Sequence, residues 1–172
     1  MLSLAFEGKK YFRYKDKWIN DDDMVVCLDL QEKLNRRYAE IVDLSSVDAE
    51  TLIREADKFK RSESFTLAIR YYEEAVKKSD GRTIASIFPR LSSCYRMCGQ
   101  ARKAIDLLTE AKKKHGKEII KPELLTSAAA AYCDLEEYDN AKKCADRARA
   151  MMGRQSSDYL IAVYRRIKSE KK

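Results

Sequence analysis

Five cysteines, one histidine and a few adjacent carboxylates are the residues through which this chain could do chemistry. The histidine, His115, follows Lys112, Lys113 and Lys114 near the expected end of a helix, where the helix dipole and solvent both favour cations. It reads as a solvated helix terminus rather than a catalytic base. Cys94 and Cys98 stand four apart and so share one helix face, but no second pair follows at zinc-ligand spacing. With Cys27, Cys133 and Cys144 they make an odd count without secretory context, which reads as five free thiols. Neighbouring carboxylates such as Glu73-Glu74 and Glu136-Glu137 diverge in direction on a helix, so they make no acid-base pair. The five glycines are scattered singly, with no phosphate-cradling loop. The chemistry expected is recognition: not an enzyme, with no cofactor and no metal.

The elements that must position any binding residues are helices. In 172 residues only five Gly and two Pro occur, beside 45% hydrophobic and 37% charged residues, the balance of a helix-rich chain with one main core. No apolar run approaches the roughly 20 residues of a membrane span, and the apolar start is interrupted at Glu7 too early for a signal peptide. A cytoplasmic protein is expected. Charge is uneven: residues 1–48 hold 8 Lys or Arg against 10 Asp or Glu (−2) and the remainder 27 against 18 (+9), giving the net +7. A basic body attracts acidic partners, although Lys and Arg also serve simply to solvate helix surfaces.

A repeat runs through that basic body. Ala68, Ala104 and Ala141 lie 36 and 37 residues apart; seven residues after each stands another alanine, Ala75, Ala111 and Ala148. Twelve residues before each stands a small residue, Ala56, Ser92 and Ala129, followed three residues later by an aromatic, Phe59, Tyr95 and Tyr132. Small residues at matched points let two antiparallel helices approach closely while the aromatic fills the space beside them.

On these residues the chain resembles the tetratricopeptide repeat (TPR) family, in segments 49–82, 85–118 and 122–155. The early apolar position of the first helix reads Leu52, Phe88 and Leu125, and the mid-second-helix aromatic reads Tyr72, Leu108 and Ala145. The family's turn glycine survives only as Gly99, with Glu63 and Glu136 in the other two places. Its closing proline reads Asp80, Gly116 and Gly153. Pro89 is tolerable only if its helix starts close before it. The resemblance implies an all-α, right-handed array of three antiparallel helix pairs, in which first helices line a concave groove that holds a peptide. Carried over place by place, that groove includes Asp57, Lys60, Arg61, Ser93, Arg96, Met97, Ala130 and Asp134, with Arg90 flanking it at the sixth place of the second repeat. Lys60, Arg61, Arg90 and Arg96 form a basic patch suited to carboxylates, so an acidic peptide or protein is the expected partner. The carboxylate clamp of one subgroup, Lys at the fifth place and Asn at the ninth, is not matched, because Ile53 and Asp57 stand there.

Outside the repeats, Leu160, Val163, Tyr164 and Ile167 follow Ser156-Ser157-Asp158 at helical spacing, predicting a solvating helix over 157–170 that covers the last repeat. Upstream, residues 24–44 are assigned to an N-terminal capping helix. Asp29 to Val42 carry Leu30, Leu34, Tyr38 and Ile41 on one stripe, and Asp29 with Glu32 resembles a capping box. That stripe is expected to cover Leu52 and Phe59. Residues 1–23 alternate aromatic-rich runs (Phe6; Tyr11, Phe12, Tyr14; Trp18) with Glu7-Gly8 and Lys15-Asp16, the pattern of a small β-meander that must dock on something to be stable. Two alternatives to a peptide-binding adaptor stand beside it. One is RNA binding through Lys112–Lys114, Lys142, Lys143, Arg165, Arg166 and Lys171-Lys172; the other is self-association through the meander.

Overall fold

The computed structural model describes residues 2–153 and 157–169. It is helical apart from an N-terminal three-stranded antiparallel sheet, and it divides into two compact units, residues 1–78 and 79–172.

The first unit opens with β1 (Leu2–Phe6), β2 (Lys9–Tyr14) and β3 (Lys17–Ile19) in the order β1-β2-β3. The β1–β2 hairpin turns on two residues, Glu7 and Gly8, both at positive φ (49° and 75°), the geometry that matches strand twist. Helices α1 (Leu28–Ile41), α2 (Ala49–Arg61) and α3 (Phe65–Lys77) follow. The meander's inner face joins α1 in one cluster of Leu4, Tyr11, Trp18 and Leu34, flanked by Phe6, Val26, Leu30 and Tyr38.

Arg13 on β2 ties the sheet to the helices. It is 6% exposed and its guanidinium donates to Asn35 Oδ1 at 2.8 Å on α1, to the Asp16 carbonyl at 3.0 Å and to Ser64 Oγ at 3.0 Å just ahead of α3. It also lies over the rings of Trp18 and Phe59, at 5.7 and 5.0 Å. Burial pushes its pKa below the ordinary arginine value. The meander is therefore docked on the first helix pair, by a cation held between aromatic faces.

Two expectations change here. The Asp29–Glu32 capping box does not form: Cys27 is the N-cap of α1 and its side chain caps nothing, while Asp29 pairs with Lys33 and Glu32 pairs with Arg36 and accepts from Thr66. A capping box needs a side-chain acceptor at the cap itself, and the helix starts two residues too early for Asp29 to serve. Helix α1 also packs against α3 rather than over α2, so Phe59 is covered by Arg13 and by Tyr71, whose ring centroid is 5.0 Å away. The loop between α1 and α2 is held from α3: the Lys78 ammonium donates to the carbonyls of Leu44, Ser45 and Val47 at 2.7–2.8 Å.

The second unit contains α4 (Gly81–Met97), α5 (Ala101–His115), one 3-10 turn (Lys117–Ile119), α6 (Pro122–Asp134), α7 (Tyr138–Met152) and α8 (Asp158–Ser169). Helices α4/α5 and α6/α7 are two antiparallel pairs, α6 packs on both α4 and α5, and α8 packs on α6 and α7. Leu160, Val163 and Ile167 of α8 are buried, as its apolar stripe predicts. Ser157 Oγ accepts from Leu160 N at 3.2 Å, capping the helix; Ser156 lies outside the described residues.

The nine matched small residues, Ala56, Ser92, Ala129, Ala68, Ala104, Ala141, Ala75, Ala111 and Ala148, are all completely buried. All three pairs, α2/α3 included, turn through the same hydrogen-bonded cap. The third residue past the helix reaches back five residues (Ser64 N to Phe59 O, Gln100 N to Tyr95 O, Glu137 N to Tyr132 O, 2.8–2.9 Å), and the one before it bonds to the next carbonyl. That cap requires a left-handed residue. Gly99 supplies it at φ 70°, and Glu63 and Glu136 adopt it at 58° and 59°.

Pro89 is not near a helix start. It is the ninth of the 17 residues of α4, which runs on through it. A proline there removes one backbone hydrogen bond and crowds the preceding turn, at about 3 kcal/mol. Ile84, Ala85, Ile87, Phe88, Leu91 and Ser92 are buried around it, and that packing outweighs the local penalty.

Candidate functional site

The structure places Asp57, Lys60 and Arg61 on α2 in the first unit, and Arg90, Ser93, Arg96, Ala130 and Asp134 on α4 and α6 in the second. In the first unit Asp57 accepts a hydrogen bond from the Tyr72 hydroxyl, so it joins α2 to α3 inside the first pair. Lys60 is half-buried beside it and Arg61 is exposed at the helix end, where the dipole favours a cation.

In the second unit the predicted residues Arg96 and Asp134 come together. The Arg96 guanidinium meets the Asp134 carboxylate on two oxygens, at 2.7 Å from Nε and 3.3 Å from Nη2. Such a fork holds both groups in a fixed plane. Arg166 on α8 adds a third contact, its Nη2 2.8 Å from the same carboxylate, and Tyr159 on α8 accepts from Arg96 Nη1 and lies beneath its guanidinium. One carboxylate thus links α4, α6 and α8. Partial burial alone would raise the Asp134 pKa, but hydrogen bonds from Arg96 and Arg166 bring it below the ordinary carboxylate value. For Arg166, burial opposes the charge and Asp134 outweighs it, leaving the pKa raised.

Around this junction Ser93 and Arg90 are half-buried on α4, Met97 is 60% exposed one residue beyond Arg96, and Ala130 is buried on α6. Of the predicted site residues in this unit, the structure brings Arg96 and Asp134 together. Neither Tyr159 nor Arg166 is among the groove residues the resemblance implies, and Arg166 enters the sequence analysis only in the RNA-binding alternative. They are seven apart, hence on one helical face next to the buried stripe of α8, and that spacing is the signal that could have found them.

Burial pushes Cys133 and Cys144 above the usual thiol value, and none of the five cysteines is in a disulfide. Among the described residues no three His, Cys, Asp or Glu side chains gather as a metal site would need, and no helix is long and apolar enough to cross a membrane.

No protein-family model matches this sequence, and no curated protein matches it. Among solved structures, the chain is similar to the Sgt2 TPR domain from Aspergillus fumigatus, at 18% identity and a TM-score of 0.62 over 72% of this chain and 78% of that one. At that identity the likeness is one of fold, and together with the three capped helix pairs and the buried small residues it makes this a tetratricopeptide-type fold.

Proposed function

We propose that the protein is a non-catalytic, cytoplasmic adaptor that binds an acidic peptide or protein along the first helices of its repeats. The observation that carries this reading is the tetratricopeptide-type fold, whose antiparallel pairs display one helix of each pair as a rigid surface while the other supports it. In the second unit the proposed binding residues are Arg90, Ser93 and Arg96 on α4 with Ala130 and Asp134 on α6; in the first, taken by itself, they are Asp57, Lys60 and Arg61 on α2. Arg96 already bonds Asp134 and Tyr159, so it is pre-organised rather than mobile, which lowers the entropy lost when a carboxylate docks.

The charge distribution supports an acidic partner and also favours a second reading. Residues 79–172 carry 20 Lys or Arg against 12 Asp or Glu (+8), whereas residues 1–78 carry 15 against 16 (−1). A nucleic acid would be drawn to the same +8 unit. Affinity capture from a native lysate, with and without nuclease, separates the two. The adaptor reading expects proteins retained after nuclease treatment and released by moderate salt. Loss of every retained protein on nuclease treatment would put RNA in first place.

A further inference from the structure

Within the first unit, the two edges of the meander are finished differently. Strand β3 follows a two-residue turn, Lys15-Asp16, so Tyr14 and Lys17 exchange hydrogen bonds and Trp18 points its N–H and C=O away from β2. Both outward groups are taken. The Trp18 N–H donates to Gln31 Oε1 at 2.8 Å, and its carbonyl accepts from Gln31 Nε2 at 2.9 Å and from Val26 N at 3.1 Å, while Val25 bridges Ile19. A side-chain amide from α1 and a returning segment thus close that edge.

The β1 edge has no such cover. The Glu7-Gly8 turn makes Phe6–Lys9 a bonded pair, so by alternation Leu2, Leu4 and Phe6 bond β2, and the N–H and C=O of Ser3 and Ala5 face outward. Among the described residues, none takes up these outward groups, and both side chains are exposed. Edge strands in folded proteins are ordinarily blunted by Lys or Pro. Strand β1, Leu2-Ser3-Leu4-Ala5-Phe6, has neither and bears no charge, although β2 and β3 carry Lys9, Lys10, Arg13 and Lys17.

The strand is also complementary to itself. Turned about a two-fold axis at Leu4, it sets Ser3 opposite Ala5 of the second copy, where the two residues exchange their outward N–H and C=O groups. On the inner face Leu4 then meets Leu4, and half-buried Leu2 meets half-buried Phe6, so every cross-strand neighbour there is apolar. The unit that carries the strand has 15 Lys or Arg against 16 Asp or Glu, and two such units meet without strong net repulsion. Because the β3 edge is closed, pairing stops at two copies.

From this geometry we infer that the β1 edge pairs antiparallel with the β1 edge of a second copy, joining two meanders into one sheet. This is a specific form of the self-association through the meander that the sequence allows, and it does not depend on the adaptor reading. Five paired residues make a small interface, so the dimer is reversible and concentration-dependent.

Sedimentation equilibrium of the full chain over a wide concentration series, with amide exchange read by NMR at both ends of the series, tests it. The mass should rise from one chain toward two. The Ser3 and Ala5 amides should become protected only at high concentration, whereas those of Leu4 and Phe6 stay protected throughout. Ala5→Pro removes an outward N–H and leaves the bonds to β2, since proline is tolerated at a strand edge. It should weaken the dimer about tenfold or more, and Ala5→Ser, which keeps the N–H, should leave it unchanged. The exchange measurement needs no variant, so the inference stays testable even if Ala5→Pro folds poorly. It is overturned by a monomer at every concentration, by a dimer that a folded Ala5→Pro leaves intact, or by a dimer whose Ser3 and Ala5 amides exchange as in the monomer. It is also overturned if the chain stays monomeric alone and those amides gain protection only in nuclease-treated lysate, which would give the edge to another protein.

Discussion

Asp134 on α6 is reached from two other helices of the second unit, by Arg96 of α4 and Arg166 of α8. Replacing it with Asn keeps the shape but leaves two guanidiniums without their shared charge. With Arg166 nearly half exposed, solvent takes over part of the loss, and the expected destabilisation is about 1–2 kcal/mol by denaturant unfolding. The sign of the pH effect follows from its lowered pKa. A carboxylate whose folded pKa lies below its unfolded value contributes stability that is fully present above the unfolded value and is lost as pH falls through the folded one. Unfolding midpoints measured from pH 7 down to pH 2 should therefore converge for the wild type and Asp134→Asn at the acid end. A gap that stays constant across that range would show that the carboxylate's charge contributes nothing. The family resemblance put Arg96 and Asp134 in the groove of successive repeats; it could not show that they pair, because pairing depends on side-chain reach and on a helix 24 or more residues further along the chain.

At the scale of elements, the turns inside the three helix pairs are the points where local chemistry and fold disagree. Glu63 and Glu136 hold positive φ because the cap's geometry demands it, and a side chain with a Cβ is strained there. Glu63→Gly and Glu136→Gly should each raise stability by about 0.5–1 kcal/mol, the relief of strain exceeding the entropy gained by the unfolded chain. Thermal unfolding of the single and double variants checks this; a fall in stability would mean that the glutamates make contacts that compensate the strain. These turns were legible because Ala56, Phe59 and Ala68, with their counterparts, repeat at fixed spacing, and small buried residues leave a periodic trace. Pro89 was misread for the opposite reason. A proline signals a helix start by local rules, but burial of Ile87, Phe88 and Leu91 holds the helix through it, and burial is a tertiary fact. The docking of α1 on α3 was likewise out of reach, since an amphipathic stripe shows which face is covered and not by what.

For the whole molecule, the tetratricopeptide-type fold followed from the repeat, whereas the link between meander and helices did not. Arg13 stands in a strand beside Lys9, Lys10, Lys15 and Lys17 and reads as one more solvated cation; only the structure shows it buried between Trp18 and Phe59. The same holds for function. A repeat fixes a way of presenting surfaces, and the identity of what binds resides in a few side chains upon them. The central claim, that the first-helix face of the second unit takes a protein partner, is open to a direct test. Met97 is exposed beside Arg96 on that face, so a photo-cross-linking amino acid in its place reports what lies there without disturbing the Arg96–Asp134 bond. A control probe at Lys143 sits on α7, a second helix. Irradiation in nuclease-treated lysate should give a discrete protein adduct from position 97 and none from position 143. Equal labelling from both positions, or adducts only from position 143, would contradict the account.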